Sequence, residues 1–368
     1  MREAKVWRHF DGYLLILTLA LLCYGVLMVY SATYQPDNQG MLNSLVSRQI
    51  TFAALGLAGF FIVVTIDYRI LANFATAAYV LALALLAVTL VVGRVTHGSQ
   101  RWIDLGLFPL QPSELAKLIL VLTLAKYFSD HEEDIHDLRY VLISLGLAGI
   151  PAGLTFLQPD LGSAAIMMFI WVGMAVMAGV RLLHWLLLGV TAGVLSPVLY
   201  MNMHDYMKTR LAIFLDPHSD PFGAGYNVIQ ALTAVGSGGW IGRGFTSGTQ
   251  SQLHFLRVQY ADFIFSVLGE ELGFVGAALL LLLFTALLLR CLRSASLSSD
   301  SFGRLIGIGV LTWMVVQVFI NVGMNIGLVP VTGVPLPFIS YGGSSLIIVI
   351  TSIGIVESVV MRHKRIEF

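Results

Sequence analysis

Residues 305–356 read LIGIGVLTWMVVQVFINVGMNIGLVPVTGVPLPFISYGGSSLIIVITSIGIV, 52 consecutive positions without an Asp, Glu, Lys or Arg. A helix needs about 20 mainly apolar residues to cross the hydrocarbon of a bilayer, so this run holds two crossings. The break between them falls in Val329-Pro330-Val331-Thr332-Gly333-Val334-Pro335-Leu336-Pro337, where three prolines remove backbone donors and stop a helix. Working outward, charge-free runs of spanning or near-spanning length lie at 12–36, 49–66, 70–93, 140–159, 161–180, 182–204 and 272–289. One further segment, 111–128, opens with Pro112 in a good first-turn position and carries Glu114 and Lys117 one turn apart on one face. It crosses too if that face looks into the protein.

Composition supports the same architecture. Hydrophobic residues make up 57% of the 368 positions and charged residues 11%, with a mean hydropathy of +0.83. Soluble chains carry about 25% charge, and a single water-soluble core stops growing near ~250–300 residues, so lipid is the natural solvent here. The expected fold is an all-α polytopic membrane protein, one transmembrane domain over 1–368 with about ten helices. A net charge of zero argues against a nucleic-acid partner. Cys23 and Cys291 form neither a disulfide framework nor a metal-ligand spacing. The run at 12–36 exceeds the roughly 7–15 apolar residues of a cleaved signal and reads as a retained helix.

Ten crossings put both termini on one side. That side carries 13 of the 21 Lys and Arg residues, and positive charge marks the cytoplasm. The longest connection, about 202–261 between helices 7 and 8, therefore faces outward. It is rich in Gly, Ser and aromatic residues, as an ordered, functional loop would be.

Ionisable residues in or at the rim of a bundle are functional candidates by default. On the outer side these are Arg48, Arg101, Glu114, Lys117, Asp160, Asp262, Glu270 and Glu271. The plainer explanation for the set is structural ion pairs that hold helices together. Glu114 and Lys117 can satisfy one another, Arg48 can snorkel to the interface, and Asp262 can cap the helix that follows it. Glu270 and Glu271 lie two turns deeper, roughly 12 Å along a helix, where capping fails. They need partners or water, which implies a polar cavity open to the outside.

Several ordered motifs then carry a resemblance. RWI at 101–103, QPSELAK at 111–117, QPDLG at 158–162 and FLDP at 214–217 precede FGAGY at 222–226, GSGG at 236–239, GRG at 242–244 and GTQSQL at 248–253. DFIF at 262–265, GEELG at 269–273 and PLPFISYGGSS at 335–345 follow. In this order the motifs resemble those of the SEDS family, polytopic peptidoglycan glycosyltransferases, over essentially the whole chain. The segment at 248–253 is similar to the elongation (RodA) branch rather than the division (FtsW) branch. The resemblance implies polymerisation of lipid II into β-1,4 glycan strands outside the cytoplasmic membrane, with Asp262 as the catalytic acidic residue. Arg48, Arg101, Glu114, Lys117, Asp160, Arg210, Gln252, Glu270 and Glu271 become the candidates for substrate binding. It also implies a class B penicillin-binding protein as transpeptidase partner.

The chain departs from the family pattern just before the aspartate. There the family commonly has Leu-Pro-Glu-x-His-Thr-Asp, and this chain has Leu256-Arg257-Val258-Gln259-Tyr260-Ala261-Asp262, with His254 at an upstream position that is often acidic. The chemistry still suits the residues. A carboxylate can remove the proton of an attacking sugar hydroxyl, and cations can hold a pyrophosphate leaving group. A divalent ion such as Mg²⁺ or Mn²⁺ could share that task, though no motif demonstrates one. The rival readings are a transporter that flips lipid II, because broken helices with buried polar groups serve transport as well, and a non-enzymatic membrane scaffold.

Overall fold

The computed structural model describes residues 7–34, 44–92, 94–96, 99–104, 109–203, 205–253, 255–256 and 258–363. Arg2, Lys5, His254, Arg257, Lys364 and Arg365 lie outside them. A helix stands at every expected position: α1 (Gly12–Ala32), α2 (Ser44–Thr65), α3 (Tyr68–Val92), α4 (Pro112–Asp130), α5 (Leu138–Leu157), α6 (Leu161–Met177) and α7 (Leu182–Met201). After the long connection come α11 (Ile264–Leu297), α12 (Ser301–Asn325) and α13 (Gly343–Met361). Starts follow capping chemistry. The Asp11 carboxylate accepts the amides of Tyr13 and Leu14 before α1, and Asp300 accepts that of Gly303 before α12.

By length and composition alone, seven of the described helices suffice to cross a membrane: α1, α2, α3, α5, α11, α12 and α13. The other three expected crossings differ for two reasons. α6 and the apolar part of α7 are apolar but shorter, and α4 carries Glu114, Lys117, Lys126 and Asp130.

Burial orders the helices. In the most apolar window of α13 89% of residues are buried, and 72% in α12, against 22% in α3. α12, α13 and α4 thus form the centre. α3 and α7 turn Phe74, Leu81, Leu182, Leu186, Val190 and Val194 outward, as lipid-facing helices do. α7 is exposed along most of its length.

The 202–261 connection is ordered, with α8 (Asp205–Leu215), a short 3-10 turn (Pro217–Ser219), α9 (Tyr226–Ser237) and α10 (Thr249–Gln252). A small antiparallel sheet qualifies the all-α expectation. Strands β1 (Arg94–Thr96), β2 (Ser99–Asp104) and β3 (Pro109–Leu110) precede α4, with Ile103 opposite Leu110, and so present Arg101 and Trp102 beside the start of α4.

The expected helix at 272–289 begins eight residues earlier and is broken at Gly273, whose φ of 63° and ψ of −160° leave the helical region. The long connection is spliced into that break. The amides of Arg243 and Gly244 bond the carbonyls of Glu270 and Glu271 (3.0 Å each), ending the first half of α11. The carbonyls of Gly239 and Trp240 accept the amides of Phe274 and Val275 (2.9 and 3.1 Å), starting the second half. Backbone groups exposed by a break at membrane depth must find partners, and here the loop supplies all four. Two backbones meeting this closely require glycine. A Cβ at Gly238, Gly242 or Gly273 would collide with the backbone of Gly269, Glu271 or Gly242 respectively.

Candidate active site

Asp262 lies in the turn that ends the long connection, just before α11. The N-cap position itself belongs to Phe263, and the amide of Ser266 is taken by Asn325 Oδ1 at 3.2 Å. Asp262 lines a cavity of about 800 Å³ together with Arg101, Gln111, Arg210, Asn227 and Ser345. That volume lies within the range of small-molecule sites. Part of its wall is apolar, from Ile213, Phe214, Val228 and Leu232.

The charged groups meet at one backbone point. A methyl built on Gly333 would stand 3.5 Å from Asp262 Oδ2 and 3.9 Å from Nη1 of both Arg101 and Arg210. Gly333 has a φ of +77°, a conformation that favours glycine, so the Pro-rich strap between α12 and α13 passes through the corner without obstructing it. Both guanidiniums are tethered to backbone. Arg101 donates to the carbonyls of Gln158 (3.4 Å) and Pro159, and lies 3.8 Å from Asp160 Oδ1. Arg210 donates to the carbonyl of Val331 (2.7 Å) and to the Tyr206 hydroxyl, and its guanidinium lies over the Tyr206 ring. Burial pulls Arg210 below the ordinary arginine pKa against the opposing pull of Tyr206; Arg101 adds to the lowering, and Asp262 and Asp160 resist it. An arginine starts so high that it stays charged. One carboxylate thus faces two fixed cations in a cavity with an apolar flank.

The remaining expected residues fall into three other settings. Asp160 caps α6 through the Ser163 amide (3.2 Å) and receives Gln111 Nε2 at 3.4 Å, so it backs the arginine corner. Glu114 and Lys117 are fully buried in a closed network. Lys117 Nζ lies 2.8 Å from Glu114 Oε1 and 3.1 Å from Gln317 Oε1, above the Trp313 ring, and Ser345 Oγ donates to Glu114 Oε2 at 3.1 Å. This network touches the cavity wall through Ser345 and through Gln317, whose Nε2 donates to the carbonyl of Pro335 at 2.9 Å.

Glu270 and Glu271 do not line the cavity. Glu270 accepts Thr249 Oγ1 (3.1 Å) and the amides of Gln250 (2.8 Å) and Ser251 (3.0 Å). Glu271 accepts Ser31 Oγ, Ser251 Oγ (3.2 Å), Gln252 Nε2 (3.4 Å) and the Thr246 amide (3.3 Å). The partners these carboxylates need are donors of the long connection, joined by Ser31 of α1, and Gln252 belongs to the same latch. Arg48 is exposed on α2, away from the cavity.

Sequence reasoning missed Gly333, Gln111 and the buried pair Asn321 and Asn325. The two asparagines, one turn apart inside an apolar run, were a readable signal; the position of Gly333 was not. Among the described residues no group of three or more His, Cys, Asp or Glu side chains is placed to hold a metal ion.

The chain matches the family described as "Cell cycle protein" (FtsW, RodA, SpoVE) over residues 12–365. It is 39% identical to peptidoglycan glycosyltransferase MrdB of Escherichia coli K12, over 97% of this chain and 95% of that one. Stage V sporulation protein E of Bacillus subtilis is 37% identical over 95% and 96%. Among solved structures, one chain comes from a study of the structural coordination of polymerization and crosslinking by a peptidoglycan synthase complex. It aligns with a TM-score of 0.81 at 33% identity, covering 96% of this chain and 97% of its own. Thermus thermophilus rod shape determining protein RodA aligns with a TM-score of 0.72 at 32% identity, covering 97% and 98%.

Proposed function

Because the chain belongs to the SEDS family of FtsW, RodA and SpoVE, we propose that it polymerises lipid II into β-1,4 glycan strands at the Asp262 corner of its cavity. It is a multi-pass membrane protein and a peptidoglycan glycosyltransferase, as its relatives are. The observation that carries the finer reading is the convergence of Asp262, Arg101 and Arg210 on Gly333.

The chemistry follows from charge. The 4-hydroxyl oxygen of an acceptor sugar forms a bond to the anomeric carbon of the donor, inverting it. The bond from that carbon to the pyrophosphate breaks, and its electron pair leaves with the phosphate. Asp262 takes the hydroxyl proton as general base. Arg101 and Arg210, already oriented by backbone carbonyls, face the negative charge that develops on the leaving group without having to reorganise. The apolar wall of Ile213, Phe214 and Leu232 suits the first isoprenoid units.

The Lys and Arg asymmetry supports cytoplasmic termini and an outward-facing cavity in the cytoplasmic membrane. A cysteine at Ser247 is expected to react with an impermeant thiol reagent in intact cells and one at Ser298 to stay unlabelled; the reverse pattern would overturn the topology. The match of 248–253 to the elongation branch and the likeness to MrdB support a role in elongation. Likeness to a chain of a peptidoglycan synthase complex supports a class B penicillin-binding protein as the crosslinking partner.

The deciding experiment supplies lipid II to the purified protein in liposomes. Glycan polymer is the expected product. Movement of lipid II between leaflets without polymer would establish the transporter instead, and neither activity, with or without the partner, would leave a scaffold.

A further inference from the structure

Residues 260–262 are held firmly, and through their backbone. Three successive carbonyls are each taken by donors from elsewhere in the bundle. Tyr260 O accepts the Tyr341 amide at 2.9 Å, Ala261 O accepts Ser340 Oγ at 2.6 Å, and Asp262 O accepts Asn321 Nδ2 at 3.2 Å and Asn325 Nδ2 at 3.1 Å. None of these bonds depends on the side chains of residues 260–262.

The two asparagines come from the last turn of α12 and are fully buried. Their polar atoms are divided among separate tasks. Asn321 Nδ2 also donates to Val334 O at 2.8 Å, next to Gly333. Asn325 Oδ1 accepts the amide and the hydroxyl of Ser266 at 3.2 and 2.6 Å, fixing the first turn of α11. Asn325 Nδ2 also donates to the Asn321 carbonyl at 2.8 Å. A side-chain amide in an apolar interior costs free energy unless it is bonded, and each of these amides gives one bond to the Asp262 carbonyl.

We infer that Asn321 and Asn325 are positioning residues that set the Asp262 carboxylate against the Gly333 corner by clamping its backbone carbonyl. Asn321 is the sharper of the two. One amide nitrogen grips both sides of the corner, the Asp262 carbonyl and the Val334 carbonyl, so it fixes the gap between the base and the strap that Arg101 and Arg210 face. The clamp also fits the altered side chains at Tyr260 and Ala261: a turn held by its carbonyls tolerates exchange of the side chains it carries. The inference rests on Asp262 being the general base.

The test is steady-state polymerisation by the full-length protein in liposomes at varied lipid II. Asn321→Leu keeps the approximate shape and removes both donated bonds. A misplacement on the scale of an ångström costs up to about 100-fold in rate, so kcat is expected to fall about 10- to 100-fold with little change in KM. A purely structural role would lower the yield of folded protein while each folded molecule kept its wild-type kcat, and that result would overturn the inference. So would a rise in KM at unchanged kcat. If Asn321→Leu does not fold, Asn325→Ser takes its place: a fall in kcat supports the clamp, and an unchanged kcat overturns it. Asp262→Asn is measured alongside. Its retaining activity would remove the general-base premise, whereas an inactive Asp262→Asn beside a fully active Asn321→Leu would remove only the clamp.

Discussion

Asp262 and Glu270 stand eight residues apart about the start of one helix, and nearly everything about their surroundings differs. Asp262 is half-buried, lines a cavity and shares a corner with two guanidinium groups. Glu270 is fully buried, outside the cavity wall, and surrounded by a hydroxyl and two amides of a loop with no cation among them. Both were candidates because a carboxylate in a membrane protein demands an explanation. The difference teaches that two explanations exist. A carboxylate that lines a cavity beside fixed cations is arranged for a substrate. One saturated by amides and hydroxyls is arranged for the chain itself, as the acceptor that pins a loop at membrane depth.

Isosteric substitutions separate the two settings, and the largest effect belongs to the cavity. Asp262→Asn is expected to reduce polymerisation about 10²–10⁴-fold, the usual contribution of a general base, while the protein stays folded and inserted. Polymer yield near wild type from the well-folded variant would erase the contrast on which the assignment rests.

The Glu114–Lys117 pair lies between the two settings, charged like the first and sealed like the second. Removing one partner of a buried ion pair costs about 3–5 kcal/mol because the other charge is left alone. Lys117→Met is therefore expected to lower the thermal midpoint strongly, and Glu114→Gln combined with Lys117→Met to recover much of it. If the single variant melts normally yet loses activity, Lys117 belongs with the cavity cations after all.

The smallest effect is expected at the latch. Glu270→Gln keeps one acceptor oxygen but presents an NH₂ to either the Gln250 or the Ser251 amide, which donate to different carboxylate oxygens, at a cost of about 1–3 kcal/mol for a poorly satisfied buried donor. The expected signature is a lower melting temperature with wild-type turnover per folded molecule. Lost turnover at normal stability would return Glu270 to the reaction.

How far each feature could be read in advance follows from its physics. The helices stood out because lipid offers no partners to a bare backbone, so every crossing must be a long apolar run. α4 was found despite its charges, through Pro112 and the spacing of Glu114 and Lys117, and this is the helix whose charged face the bundle seals. Asp262 stood out by its place at the end of the loop and by the motifs around it. Glu270, Glu271 and Gln252 were assigned to the substrate because a linear reading cannot count donors arriving from residues 246–251 and from Ser31.

By itself, then, the sequence determined the polytopic helical class, the approximate position of the long helices outside the 202–261 connection, that connection itself and the acidic residue at its end. These depend on short-range properties such as hydropathy over about 20 residues, proline, and a charge beside an apolar run. Tertiary structure alone decided which charges face the cavity. It brought Arg101, Arg210 and Asp262 to Gly333, spliced the 239–244 backbone into the break at Gly273, and bonded Asn321 and Asn325 to the Asp262 carbonyl. Those relations join positions far apart in the chain, and a contact at such separation exists only once the helices between have packed.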